Sequence, residues 1–83
     1  MDSEKILEEL QPIFKDVFDD DEFNVTVQTQ PNQVEDWDSI SQFMLITAIE
    51  KHFSIKFVLS EVQNLQKLNN VGELVELIYK KLN

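Results

Sequence analysis

Few residues in this chain could do chemistry, and most of them are out of reach of one another. A serine or threonine becomes a nucleophile only when a general base lies within hydrogen-bond distance. The sole histidine is His52, thirteen residues beyond Ser39 on what the pattern predicts is one helix. At the helical rise of about 1.5 Å per residue the two are about 20 Å apart, so they form no nucleophile and base pair. His52 reads as a surface or interface residue. Gly72 is the only glycine, which leaves no glycine-rich phosphate loop, and there is no cysteine, which removes both disulfides and zinc-thiolate sites. No catalytic constellation is assembled, and the expectation is a protein that is not an enzyme.

Asp20, Glu22 and Asn24 alternate as calcium ligands do. An EF-hand loop that began at Asp20 would need glycine in its sixth place and glutamate in its twelfth. Those places hold Val25 and Pro31. The acids therefore read as a solvated cluster, and no permanent metal is expected.

What remains is Asp38-Ser39, in the sequence Trp37-Asp38-Ser39-Ile40. Small oxygen-bearing residues at the start of an apolar periodic stretch are the signature of a helix N-cap. Unmodified, Ser39 is no more than that. A phosphate ester on its hydroxyl would, however, lie at the positive end of the helix dipole, beside the unpaired backbone N–H groups of the first turn.

The elements that must position this serine follow from hydrophobic spacing. From Ser3, the residues Ile6, Leu7, Leu10, Ile13, Phe14, Val17 and Phe18 recur at intervals of three and four and mark an amphipathic helix. Pro12 removes one internal hydrogen bond, to the carbonyl of Glu8, without changing the phase of the stripe, so a kink and not a break is expected. A long loop follows, punctuated by Pro31. Phe23, Val25 and Val27 alternate within it, but no second strand is available, so these side chains are expected to pin the loop onto the helices. The second helix, from Ser39 through Phe53, carries apolar residues on nearly every side, a pattern of fully buried helices. A chain this small can hardly surround such a helix. Part of its apolar surface must line a pocket or meet a partner, whereas Ile49 and Phe53 read as core. Ser60 and Gln63 have the spacing of a capping box for a short third helix. Asn70 and Glu73 repeat that spacing before a last helix that ends in Lys80 and Lys81.

Composition bounds the partners. The chain has 83 residues and a formal net charge of −9, enough for one domain spanning 1–83 that buries about 60% of its unfolded surface. Residues 1–38 hold 12 acids against 2 lysines, and residues 39–83 hold 4 acids against 5 lysines. The acidic balance repels nucleic acid and anionic membrane surfaces and suits basic protein partners. The first residues, Met1-Asp2-Ser3-Glu4, lack the basic and apolar regions of a secretion signal, and no run approaches the roughly 18 apolar residues of a membrane span. No membrane insertion and a cytoplasmic location are the expectations.

Asp38-Ser39-Ile40, followed by a helix with Phe43, Leu45, Ile46, Ala48, Ile49, Glu50 and Phe53, resembles the acyl carrier proteins. The resemblance extends over the whole chain, through its acidity, the loop before the serine, the short third helix and the segment Asn70-Val71-Gly72-Glu73-Leu74. It implies an all-α fold, a four-helix bundle with three longer helices and a short third one. It further implies that a phosphopantetheinyl transferase joins 4'-phosphopantetheine from coenzyme A to Ser39, with Asp38 assisting recognition and Mg2+ during the transfer only. The sulfur that holds cargo as a thioester belongs to that arm, so a chain without cysteine can still serve covalent chemistry.

On this resemblance Phe43 and Ile46 border a cavity for the acyl chain, and Trp37, Ile40, Met44 and Glu50 meet the acyl-loading and acyl-consuming enzymes. The shuttle itself is expected to be a monomer. Members that serve fatty-acid synthesis usually line the second helix with acids. Here it offers Ser41, Gln42, Met44, Lys51 and His52 and keeps only Glu50, and Trp37 stands where a small or aliphatic residue is common. The variant therefore resembles members of specialised lipid, secondary-metabolite or surface-polysaccharide pathways. An aminoacyl or peptidyl carrier, and a non-covalent acidic helical adaptor with unmodified Ser39, remain the alternatives.

Overall fold

The computed structural model of the chain describes residues 2–34, 37–65 and 70–82. Among these residues four α-helices run in the order α1 (Ser3–Val17), α2 (Ser39–Phe53), α3 (Leu59–Leu65) and α4 (Val71–Leu82), with a 3-10 turn at Pro31–Gln33 before α2. The all-α bundle with a short third helix is the architecture expected.

The helix α1 starts where Asp2 caps it by accepting from the Lys5 N–H at 2.8 Å. It runs unbroken through Pro12. Ile6, Leu10, Ile13 and Phe14 are its buried face, and that face packs against both α2 and α4, which makes α1 the spine of the bundle. At the other end of the molecule, α4 begins at Asn70, whose side-chain oxygen accepts from the Glu73 N–H at 3.2 Å. It buries Val71, Leu74, Val75 and Ile78 against the same core.

The α3 start differs from expectation. Ser60 lies inside the helix, not at its cap. The Glu61 carboxylate instead turns back to accept the Val58 N–H at 2.9 Å, the acidic half of a capping arrangement shifted by two residues. The same carboxylate pairs with Lys81 of α4 at 2.8 Å. The Lys81 ammonium also stands 5.4 Å from the Phe57 ring centroid, a cation–π distance, so α3 is tied to the end of α4.

The loop between α1 and α2 is anchored in three places. Phe14, Phe18, Phe23 and Trp37 form an aromatic cluster with centroids 5.4 to 6.0 Å apart, within the range in which aromatic pairs attract. Val25 is buried, and the side-chain amide of Gln11 grips its backbone on both sides. The Gln11 Nε2–H donates to the Val25 carbonyl at 2.6 Å, and the Val25 N–H donates to the Gln11 Oε1 at 2.9 Å. A single glutamine thus does what a partner strand would do. Val27 departs from expectation, because its side chain is exposed. Its carbonyl pins the loop instead, accepting from the Gly72 N–H at 2.9 Å, while the Thr29 carbonyl accepts from the Val71 N–H at 2.7 Å. The approach at Gly72 is close: a Cβ there would stand 3.1 Å from the Val27 oxygen and 3.3 Å from its Cβ, which accounts for the lone glycine.

Candidate functional site

The site is the start of α2, and the loop anchors just described deliver the chain to it. Asp38 is the N-cap: its Oδ1 accepts from the Ile40 N–H at 3.1 Å and the Ser41 N–H at 2.9 Å. Ser39 is therefore the first helical residue, not the cap, and it is exposed. The Ser41 N–H above all holds the Asp38 carboxyl below the usual value of 3.8; desolvation opposes it, and the Ser41 hydroxyl and the Ile40 N–H add to the lowering. Asp38 is consequently a carboxylate at neutral pH.

This changes one expectation. The N–H groups of Ile40 and Ser41, which a phosphate on Ser39 was expected to find unpaired, are occupied by Asp38, and the Gln42 N–H donates to the Asp38 carbonyl at 2.9 Å. What a phosphate there retains is the field of the helix dipole. It would also lie beside the Asp38 carboxylate, which repels it.

Two stripes run along α2. Gln42, Leu45, Ile46, Ile49 and Phe53 are buried, at intervals of three and four that bring them to one side. Ile40, Phe43, Met44, Thr47 and Lys51 are exposed, and the same arithmetic places them on the opposite side. The outward stripe is apolar for its first turn and a half. Ile40 is 73% exposed, Phe43 69% and Met44 48%, whereas a soluble helix ordinarily turns such residues inward.

Of the sequence-predicted site residues, Ile40 and Met44 point outward and Ile46 inward, as expected. Phe43 does not: it was assigned to an interior cavity and lies on the surface, because it falls about 100° around the helix from the middle of the buried stripe. Trp37 was expected to face partners. Its ring is half-buried against Phe14 and Phe18, and its indole N–H donates to the Gln42 Oε1. These contacts fix the chain directly before Asp38. Glu50 is also engaged internally. Its Oε2 accepts the Phe57 N–H at 2.8 Å and its carbonyl accepts the Ile55 N–H at 3.2 Å, closing the turn after α2, where Ser54 adopts a left-handed backbone with φ 56°. His52 is exposed, with its Nε2 2.7 Å from the Glu9 Oε1, a cross-helix contact far from Ser39 in the chain.

Sequence reasoning counted Gln42 among the polar residues that α2 offers outward, and the structure buries it. The signal was present: Gln42 shares the phase of Leu45, Ile46, Ile49 and Phe53. An open cleft of about 510 Å³ lies at the far end of α2, lined by Thr47, Glu50, Lys51, Ser54, Ile55 and Lys56. Neither Phe43 nor Ile46 borders it. No group of three or more metal-ligating side chains occurs among the described residues, and no helix among them is long and apolar enough to cross a membrane.

No protein-family model and no curated protein matches the chain. Among solved structures, the chain is similar to the solution structure of a holo acyl carrier protein from Geobacter metallireducens. The two share 48% sequence identity with a TM-score of 0.79, over 93% of this chain and 85% of that one.

Proposed function

Because the chain belongs to the acyl carrier protein family, so that it is a carrier and not an enzyme, we propose that Ser39 is the attachment point of a 4'-phosphopantetheine arm. The observation that carries this reading is the placement of Ser39: an exposed hydroxyl-bearing residue at the first position of α2, directly after an ionised cap and beside an exposed apolar stripe. That the similar solved structure is a holo form supports the prosthetic group.

The attachment step balances simply. The Ser39 Oγ bonds to the pantetheine-side phosphorus of coenzyme A, the pyrophosphate bond breaks, 3',5'-adenosine diphosphate leaves, and the serine proton passes to a base of the transferase. His52 does not serve as that base, since it is engaged with Glu9 and lies at the other end of α2. The role of Asp38 is to hold the first turn in place and to add negative charge that Mg2+ can bridge during the transfer.

Once loaded, the carrier presents acyl groups as thioesters to loading and consuming enzymes. Ile40, Phe43 and Met44 form the contact surface that surrounds the tether, and Ile46 belongs to the interior that shelters cargo. The outward side of α2 continues from this apolar patch into Thr47 and Lys51, so its partners are not those that read a row of acids on this helix. A specialised pathway, a monomeric shuttle and a cytoplasmic location complete the reading.

Incubation of the apo protein with coenzyme A, Mg2+ and a broad-specificity phosphopantetheinyl transferase should raise the intact mass by one arm. Ser39→Ala should show no gain. An equal gain in Ser39→Ala, or none in the wild type, overturns the reading.

A further inference from the structure

Gln42 is the sole polar side chain in the buried core of the described residues, 3% exposed. Its orientation is fixed by chemistry. An indole N–H can only donate, so the amide oxygen must face Trp37, whose Nε1–H it accepts. The NH2 group is thereby turned away from Trp37, and among the described residues its nitrogen has no acceptor. A buried donor without a partner is destabilising, and an apolar side chain of similar shape would avoid that loss. The donor is therefore open to an acceptor that the described residues do not supply.

The position of Gln42 says where the acceptor comes from. Gln42 follows Ser39 by one turn, and Ile46 follows Gln42 by one more. At about 100° per residue the three lie within about 60° of one another along one edge of α2. A chain tethered at Ser39 and inserted along this edge meets the amide donor first and the buried, apolar Ile46 after it. An ammonium or a plain alkyl segment offers nothing to an N–H donor, whereas a carbonyl oxygen satisfies it.

We propose that the Gln42 side-chain amide donates a hydrogen bond to a carbonyl oxygen carried on the Ser39-linked arm, and so selects where along that arm a carbonyl enters the interior. This rests on the reading of Ser39 as the attachment point. The carbonyl can belong to an amide of the arm, to the thioester or to an oxo group of the cargo. Trp37 is coupled to the event, because a hydrogen bond given by the amide nitrogen makes the amide oxygen a stronger acceptor for the indole N–H.

The test uses 15N-labelled protein in apo, holo, octanoyl and 3-oxooctanoyl forms, each confirmed by intact mass. The Gln42 side-chain amide and the Trp37 Nε1–H resonances should move downfield, while the exposed side-chain amides of Gln28 and Gln63 serve as the unmoving reference. A first movement in the holo form identifies an arm amide, in the octanoyl form the thioester carbonyl, and in the 3-oxooctanoyl form the cargo oxygen. In a loaded Gln42→Met variant the Trp37 resonance should no longer respond to loading. If all four mass-confirmed forms leave Gln42 with the reference amides, the inference is overturned. A missing mass gain instead overturns the attachment reading itself.

Discussion

The helices α1 and α2 have the same length, 15 residues, and use their apolar side chains in opposite ways. α1 buries Ile6, Leu10, Ile13 and Phe14, and its outward residues include Glu4, Glu8 and Asp16. It is a structural spine with a solvated acidic back. α2 buries one stripe against that spine and leaves Ile40, Phe43 and Met44 on the surface, while its outward acids are replaced by Thr47 and Lys51. The difference teaches that the two helices use apolar surface differently: α1 commits it to the core, and α2 leaves part of it exposed near Ser39, where the proposed contact surface lies.

The division is most directly broken from the α1 side. Leu10 is fully buried, and Leu10→Ala should lower unfolding stability by about 2–5 kcal/mol, the usual loss for a buried leucine. That is a large part of the stability of so small a domain, and urea unfolding followed by circular dichroism would show it.

Between the two extremes lies the cap that joins the regions. Asp38→Ala removes the acceptor for two N–H groups of α2 and should lower the melting temperature by less than Leu10→Ala. Asp38→Asn keeps a capping oxygen and should recover most of that loss. The pH dependence has a fixed sign. The folded Asp38 pKa is lowered from 3.8, so its contribution is fully present above the unfolded value and is lost as pH falls through the lower folded value. Asp38→Asn should remove this acid-sensitive component, which is lost as pH falls below the unfolded value of 3.8, and leave that of Glu61, whose carboxyl pKa is lowered by Lys81.

The smallest effect on stability should come from the outward stripe. Phe43→Ala removes a residue that is 69% exposed and should change unfolding stability by less than about 0.5 kcal/mol. Its effect on recognition should be larger. If Phe43 belongs to the surface that a partner buries, the rate of arm attachment at limiting transferase should fall about 5-fold or more, the scale of an interface residue that contributes over 1 kcal/mol. A Phe43→Ala variant that is destabilised like Leu10→Ala, yet modified at the wild-type rate, would erase the distinction between the helices.

Much of this protein is decided by local chemistry and is therefore legible without a fold. The period of Ile6, Leu10, Ile13 and Phe14 makes α1 a helix whatever it packs against. The oxygen-bearing pair Asp38-Ser39 followed by apolar residues marks the start of α2, and Asn70 with Glu73 marks the start of α4. The chain has no cysteine, and its one histidine, His52, lies thirteen residues beyond Ser39 on the same helix, out of its reach whatever that helix packs against. The chemical identity of the site, a serine at a helix start in an acidic helical chain, was in these residues.

Tertiary structure alone decided which of the many apolar sides of α2 faces inward. When a helix is apolar all round, its own periodicity gives no direction, and only the position of α1 selects Leu45, Ile46, Ile49 and Phe53 for the core and leaves Phe43 outside. The same selection turned Gln42 inward, where its oxygen meets Trp37 and its nitrogen meets no described partner. Likewise, no local rule could show that Gln11 would stand in for a β-strand at Val25, or that Glu50 would be drawn into the turn at Phe57. Those contacts join residues 14 and 7 positions apart. Hydrogen bonds of this kind exist only after the backbone has been folded back on itself, so a residue's type shows what it can bond to, and the fold decides what it meets.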